Sequence, residues 1–428
     1  MTLSYGINKV AVRIKRWAVS RRWWVLMLWQ LLWSIVHLRS HGYGWHYFVS
    51  GARILFSSNG LNLYSTNAEL QIGPLTLVAV APFAFAPRQI GQASALAAMT
   101  ILGLVLLRQI EGLYRSGRAV EASGPATHHP SGPRRDDGDT SAVRFLLVGL
   151  CVIPVWSELA VRFAHFDDVL ALLCAVIAMR LLKRSRWDLW PALLLGLSVD
   201  CKPWAAVFLP LLWLAPPGRR WLSVTVGVLS VAVAWLPFYI ADPSSLSAVS
   251  FKIPVADASV IHLFGIVGGT PAWSRPAQLL TGAALASVAI YRGRWPAVLF
   301  VGICMRMLLD PAIKSYYDAG LVIGAGICDL LLTGSILPWI TLGALTMVYA
   351  PSYLLYSWPT AQAVLRLLYL ATAPFLVLTL KDHHVQSEAQ SGRWLGSSRR
   401  SPPRSCELDD PEPDAEPSIV SDAKFKEI

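Results

Sequence analysis

The stretch RFAHFDD at residues 162–168 stands directly before the apolar run of residues 169–178. It places a guanidinium, an imidazole and two adjacent carboxylates at the start of a segment that we expect to cross a membrane. Ionisable groups are costly to place at the edge of a bilayer core, so where they occur they point to function. A second polar motif, KPW at residues 202–204, follows one hydrophobic segment later. We expect the site to depend on where these two stretches lie.

The composition of the chain indicates a membrane protein. Of its 428 residues, 54% are hydrophobic and only 15% are charged. Several apolar runs approach the length of about 20 residues that is needed to cross a bilayer. The basic residues that give the net charge of +11 fall in short clusters between these runs, which is typical of cytoplasmic loops and not of a nucleic-acid groove. The sequence therefore predicts an all-α polytopic membrane protein whose partner is the lipid bilayer, with no nucleic acid.

The basic clusters also predict an orientation in the cell (plasma) membrane. Residues 1–22 are basic and are expected in the cytoplasm. A membrane domain over residues 23–381 is predicted to contain about twelve transmembrane helices, which returns both termini to the cytoplasm. Within it, residues 39–91 are a large first external loop with a re-entrant segment, and residues 109–143 a disordered cytoplasmic loop. Residues 382–428 are polar and are predicted to be a disordered cytoplasmic tail.

The apolar run of residues 189–216 lies between two basic clusters and is broken near Lys202. One long helix would carry a basic flank outside, whereas two short helices that rise and return keep both flanks in the cytoplasm. We predict the broken pair, with Lys202 near its outer tip. On this topology four polar clusters share the external side: residues 41–69, residues 162–168, Lys202 with Trp204, and residues 306–318.

Asp167 and Asp168 have two compatible interpretations. They can cap the start of the following helix, because acidic side chains interact well with a helix N-terminus, or they can take a proton from a substrate hydroxyl. With His165 they are also candidate ligands for a divalent cation, although neighbours in sequence do not easily face one ion, and we predict no metal site. Lys202 can snorkel to the membrane interface, pair with Asp200 or bind a substrate. Arg306 can also snorkel or bind a substrate.

Glu69 is the only acidic residue between Arg39 and Gly73. The other polar residues of this part of the first external segment are neutral, His or Arg. If that segment supplies a catalytic acid or base, Glu69 must be the residue.

Short motifs occur in a fixed order along the chain: WHYF at 45–48 with GA at 51–52, LY at 63–64, QIGP at 71–74, HFDD at 165–168, GLSVDCKPW at 196–204, LDP at 309–311 and YY at 316–317. With these motifs, over about residues 20–380, the chain resembles the GT-C superfamily of membrane glycosyltransferases. Within that superfamily it is similar to a bacterial mannosyltransferase-like group.

The resemblance implies a GT-C-like fold and a polyprenyl-phosphate-linked sugar donor. The sugar, with mannose as a candidate, would pass to a cell-envelope glycolipid or glycan acceptor on the external face. It also implies a catalytic carboxylate, for which Glu69, Asp168 and Asp167 are the candidates, and basic groups on the lipid phosphate, for which Lys202 and Arg162 match best by position. Candidate substrate-binding residues are His46, Arg162, His165, Lys202, Trp204, Arg306, Asp310, Tyr316 and Tyr317.

Two other classes of protein fit the same residues. A transporter or flippase also uses broken helices and ionisable groups that face a cavity. A non-catalytic membrane protein would instead act through its polar tail, and deletion of that tail would then abolish its effect. A divalent cation remains a candidate cofactor for the enzyme, without a predicted site.

Overall fold

The computed structural model describes residue 17 and residues 19–122, 136–183, 189–245 and 252–379. In these ranges the chain forms helices and no strand, and β-pairing is limited to one isolated antiparallel bridge between Pro254 and Gly269. The prediction of an all-α protein is confirmed for this part of the chain. Most of the predicted N-terminal segment, residues 1–22, and all of the predicted tail, residues 382–428, lie outside the described residues.

The helices of the first half of the chain are α1 (Arg22–Leu38), α2 (Trp45–Leu55), α3 (Leu63–Thr66), α4 (Pro74–Ala84), α5 (Arg88–Ala122), α6 (Asp136–Ser157), α7 (Phe166–Lys183) and α8 (Trp190–Cys201). Helix α6 continues as a π-helical turn, Glu158–Arg162, and α8 is followed by a 3₁₀ helix, Pro203–Leu214. Both α4 and α8 carry a proline in the first turn, where its missing N–H group is not needed.

The helices of the second half are α9 (Arg220–Ala241), α10 (Val260–Leu263), α11 (Ser274–Tyr291), α12 (Val298–Leu308), α13 (Asp318–Leu332), α14 (Trp339–Ala344), α15 (Pro351–Leu354) and α16 (Pro359–Thr379). A π-helical turn, Leu345–Tyr349, joins the region of α14 to α15.

Five stretches of the described chain are long and apolar enough to cross a membrane: Arg88–Ser116, Asp139–Arg162, Pro217–Ala241, Ser315–Leu332 and Pro359–Thr379. Shorter apolar helices accompany them: Pro74–Ala84, Trp190–Cys201, Pro203–Leu214 and Trp295–Leu308. The chain is therefore a helical membrane protein, and the figure of about twelve spans stays a prediction.

The prediction of a disordered loop over residues 109–143 is wrong at both ends of that range. Helix α5 continues to Ala122 and α6 begins at Asp136, so both flanks of that range are helical. On the first flank, Glu111 forms ion pairs with the arginines three residues before it and four residues after it, and such pairs stabilise a helix. Residues 123–135 lie outside the described ranges.

Lys202 separates two helical segments, as the charge pattern predicts. Helix α8 ends at Cys201, Lys202 has an extended backbone, and the 3₁₀ helix begins at Pro203. Gly73 packs directly on this turn, because its N–H donates to the Cys201 carbonyl at 3.0 Å. A Cβ atom at position 73 would lie only 1.8 Å from the Asp200 carbonyl oxygen. The first predicted external segment is thus fixed against the turn that carries Lys202.

A second backbone contact joins the same segment to the π-helical turn. The N–H groups of residues 42–44 donate in order to the carbonyls of residues 161–163, at 3.0, 3.0 and 2.9 Å. The chain then turns at Ala164, whose φ of 53° makes it the one described non-glycine residue with positive φ. Such a conformation persists only where the surroundings fix it. Together the two contacts bring three of the predicted polar clusters into one region.

Candidate functional site

A cavity of about 570 Å³ lies where these segments meet. The predicted site residues that line it are Glu69, His165, Asp167, Lys202, Trp204, Arg306, Tyr316 and Tyr317. They come from all four of the polar clusters that the topology assigns to one side of the membrane. Residues that are far apart in the sequence therefore share one cavity.

Two more predicted residues, Asp168 and Asp310, do not line the cavity but contact residues that do. Asp168 Oδ1 accepts a hydrogen bond from Trp204 Nε1 at 3.1 Å. Asp310 Oδ2 lies 3.7 Å from Arg306 Nη2. Both carboxylates are buried, with exposed fractions of 4% and 2%, so they act on the cavity through their partners.

Arg162 and His46 do not line the cavity. The Arg162 guanidinium donates to Glu158 Oε1 at 3.1 Å and to the Tyr353 hydroxyl at 2.9 Å. Because these partners occupy it, Arg162 is a poor match to a phosphate group in the cavity. His46 is exposed and packs on Tyr47, and it is Tyr47 that lines the cavity.

Lys202 is the centre of a buried ionic cluster. Its Nζ atom donates to Asp167 Oδ2 and lies 3.5 Å from Asp168 Oδ2. All three side chains are buried, and buried charges are tolerated only when they are paired in this way. Burial lowers the pKa of Lys202, but the two carboxylates more than reverse that effect, so the net shift is upward. The ammonium group therefore stays charged.

His165 completes the cluster. Its Nδ1 atom lies 3.4 Å from Asp167 Oδ1 and 3.5 Å from Asp168 Oδ2, while its ring stacks on Tyr316 with 3.7 Å between the centroids. Burial lowers the pKa of His165, whereas the two carboxylates raise it, and the net shift is upward. The cluster thus favours the protonated imidazole.

The donor atoms of His165, Asp167 and Asp168 lie within 4.8 Å of one another. These three neighbours can therefore face one ion, although neighbours in sequence do not easily do so, and the absence of a metal site stays a prediction. The turn at Ala164 is the cause, because it places the imidazole directly over the first turn of α7. Carboxylate oxygens suit a divalent cation, but the ammonium of Lys202 and the protonated imidazole of His165 already compensate the two carboxylates. A divalent ion would have to compete with that charge.

A second cluster in the cavity carries excess positive charge. Arg306 and Arg275 share the single carboxylate of Asp310, whose Oδ2 atom lies 3.7 and 3.8 Å from them. The Arg306 guanidinium also lies 4.6 Å from the centroid of Trp204 and 4.0 Å from that of Tyr317. Aromatic faces attract a cation without neutralising it. Two guanidinium groups with one carboxylate leave the cluster able to bind an anion.

Glu69 and Lys314 are the charged residues of the cavity lining that form no ion pair with another described residue. Both side chains are exposed and line the cavity. In the described part of the chain neither side chain has an ion pair or a hydrogen bond to another residue. Both are therefore available to a bound molecule, unlike the paired carboxylates around Lys202.

The site residues predicted from the sequence do not include Arg275, Lys314 or Glu158. The available signal for Arg275 was its place in the first turn of α11, at the predicted external end of a span. For Glu158 the signal was stronger, since it is the only acidic residue between residues 140 and 166 and stands inside an apolar run. An isolated acid in such a run points to function.

Comparison with protein-family models and with curated protein sequences gives no match for this chain. A fold alone does not determine a function. The chemistry of the cavity is therefore the basis for assigning one.

Proposed function

We propose that this protein is an integral membrane glycosyltransferase of the GT-C type. It transfers a sugar, with mannose as the first candidate, from a polyprenyl-phosphate donor to a cell-envelope glycolipid or glycan at the external face of the plasma membrane. The observation that supports this function is the cavity itself. An uncommitted carboxylate, Glu69, and a cluster of cations with excess positive charge line the same space.

Glu69 is the base in this proposal. A general base must reach the acceptor hydroxyl and must be free to take its proton. Asp167 and Asp168 are less suited, because both are paired with Lys202 and an ion-paired carboxylate is a weaker base. Glu69 lines the cavity and has no such partner among the residues that the structure describes.

Arg306, Arg275 and Lys314 hold the donor phosphate. The acceptor oxygen forms a bond to the anomeric carbon as Glu69 takes its proton. The bond between that carbon and the phosphate oxygen breaks, and its electron pair leaves with the polyprenyl phosphate, which gains one negative charge. Cations placed where charge develops stabilise the transition state. Attack from the side opposite the phosphate inverts the anomeric carbon.

The cluster of Lys202, Asp167, Asp168 and His165 has a different role in this proposal from the one first expected. It is nearly neutral and internally paired, so it shapes the cavity wall. The aromatic rings of the lining, Trp204 and Tyr317 among them, suit the apolar face of a sugar ring.

The test uses purified protein in lipid vesicles with a radiolabelled polyprenyl-phosphate sugar and a membrane extract as acceptor. Glu69→Gln is expected to lower the transfer rate by about 10²–10⁴-fold, the usual contribution of a general base. Asp257→Asn is the matched control, because Asp257 is also an exposed carboxylate but does not line the cavity. Full activity in a folded Glu69→Gln protein would overturn the assignment of the base. Passage of the intact donor across the vesicle membrane without transfer would instead identify a transporter.

A further inference from the structure

Glu158 is a buried carboxylate that the proposed reaction does not use. Its exposed fraction is 0%, and it lies in the candidate span Asp139–Arg162, at the start of the π-helical turn. It does not line the cavity. A carboxylate at such a position is costly, so its contacts should show what it contributes.

One carboxylate oxygen of Glu158 accepts three hydrogen bonds. Its Oε1 accepts hydrogen bonds from Arg162 Nη1 at 3.1 Å, from Ser315 Oγ at 2.8 Å and from the Tyr353 hydroxyl. Its Oε2 atom is buried and has no hydrogen-bond partner in the described part of the chain. The carboxylate thereby ties the π-helical turn to two segments that are more than 150 residues away in sequence.

The stacked rings of His165 and Tyr316 both belong to segments that are held by a hydrogen bond at Glu158 or at its neighbour Leu159. Ser315, which donates to Glu158, directly precedes Tyr316. On the other side, the His165 N–H donates to the carbonyl of Leu159, the neighbour of Glu158, at 3.1 Å. The contacts form a closed circuit that runs from the carboxylate through Ser315 and Tyr316 to His165 and back.

We propose that Glu158 is a positioning residue for the transfer reaction, which holds Tyr316 against His165 and so fixes the wall of the cavity. This inference depends on the proposed function for its effect on rate, but its effect on structure is independent of it. His165 contacts Asp167 and Asp168, so a displaced imidazole also disturbs the carboxylates that Lys202 pairs. Displacement of catalytic geometry by about 1 Å can cost 10²-fold in rate.

Ser315→Ala tests the circuit with the least disturbance, because it removes only the hydroxyl that joins Tyr316 to Glu158. Its companion variant is Glu158→Gln, which keeps the shape of the side chain and removes its charge. Glu111→Gln is the matched control. Glu111 is also buried, with an exposed fraction of 3%, and is paired with arginines in a different candidate span, away from the cavity.

The first measurement is hydrogen exchange of the backbone amides of residues 163–166 in the full-length protein. Exchange in this segment is expected to be at least about tenfold faster in Ser315→Ala and Glu158→Gln than in the wild type, since the amide of His165 loses its fixed geometry. Glu111→Gln is expected to match the wild type there. Unchanged exchange in both test variants would overturn the positioning role, whether or not the protein transfers sugar.

The second measurement is transfer of labelled sugar from the polyprenyl-phosphate donor. Each test variant is expected to lower kcat by about 10- to 100-fold with little change in KM, because a displaced wall misorients the bound sugar for attack while Arg306 and Arg275, which hold the donor phosphate, are not altered. The double variant is expected to lose no more than the worse single variant, since both changes break one circuit. Wild-type kcat in Ser315→Ala, or losses that multiply, would overturn the role. An inactive wild type would instead count against the proposed function, and the exchange result would still decide the positioning role.

Discussion

Lys202 makes two adjacent buried carboxylates tolerable. A single ammonium group contacts Asp167 Oδ2 and lies 3.5 Å from Asp168 Oδ2, and Trp204 adds a hydrogen bond to Asp168. Loss of one member of a buried ion pair typically costs about 3–5 kcal/mol, because the other charge is left without compensation. The residues of this cluster therefore depend on one another, and a substitution at any of them tests the whole cluster.

The stability of the protein should depend on the protonation of His165. Its pKa is raised in the folded protein, with burial opposing the rise and the two carboxylates causing it. Lys202, which faces the same carboxylates, also opposes the rise. The folded state therefore binds the proton more tightly than the unfolded chain does. This contribution is complete below the ordinary histidine pKa of about 6.5 and is lost as the pH rises through the raised value.

We expect the melting temperature in detergent to fall as the pH rises from about 6 to 8.5. The melting temperature of His165→Gln should fall less over the same pH range, because this variant has no ionisable ring. His46→Gln is the control, because His46 is exposed and is not one of the residues that contact Asp167 and Asp168. Scanning fluorimetry at closely spaced pH values measures the effect. Parallel pH curves for the wild type and His165→Gln would contradict the assignment of the charged imidazole.

At the residue scale the sequence identifies the charged groups but not their pairing. The apolar surroundings of Asp167, Asp168 and Lys202 in the sequence already make them notable. Whether Lys202 binds a phosphate or a carboxylate depends on a turn at Ala164 and on contacts across more than 30 residues of chain. No local pattern carries that information.

At the scale of elements, Gly73 controls how the first segment packs on the Lys202 turn. Its N–H bonds to the Cys201 carbonyl, and a Cβ atom would meet backbone atoms of Asp200 that cannot move aside easily. Gly73→Ala is expected to destabilise the protein by about 1–3 kcal/mol or more. Gly334→Ala is the matched control, since no atom of the described residues lies within 4 Å of that Cβ position.

Thermal unfolding in detergent measures both glycine variants. We expect a clearly lower melting temperature for Gly73→Ala and a value close to the wild type for Gly334→Ala. Equal melting temperatures for the two variants would contradict the close packing between the first segment and the turn.

The sequence predicts some helix ends better than others. The broken pair on either side of Lys202 follows from charge, because a single helix would violate the asymmetry of the basic clusters. The extension of α5 to Ala122 does not follow from hydropathy, since its last turns contain charged residues. The ion pair of Arg115 with Glu111 stabilises the helix just before those turns. Hydropathy shows where a span is apolar, and not where its helix ends.

At the scale of the whole molecule, the sequence predicts which polar clusters share a side but not which residues meet. Charge asymmetry assigns the clusters near Glu69, Asp167, Lys202 and Arg306 to one side, and residues from each line one cavity. The contacts that depend on the packing of distant helices, such as that of Ser315 with Glu158, have no signature in the chain. Long-range contacts of this kind require the fold to be known.

The direction of the helices separates the cavity from the basic turns. Helix α11 starts beside the cavity at Arg275 and ends near Arg292, and α12 returns from that end to Arg306. Helix α9 starts at Arg220 and reaches the cavity at Trp235. The basic clusters thus lie at the ends of these helices that are remote from the cavity. Since basic turns stay in the cytoplasm, the cavity should open to the external side.

A membrane-impermeant thiol reagent tests this orientation in intact cells. Lys314→Cys, at the cavity, is expected to react, and Arg292→Cys, at a basic turn, is expected to react only after the membrane is permeabilised. Both positions are exposed, so access to the side chain is matched. Both variants also carry Cys406→Ser, which removes the thiol of the polar C-terminal segment. Labelling of Arg292→Cys in intact cells with none of Lys314→Cys would invert the orientation. The cavity would then face the cytoplasm, and the proposed transfer at the external face would be wrong.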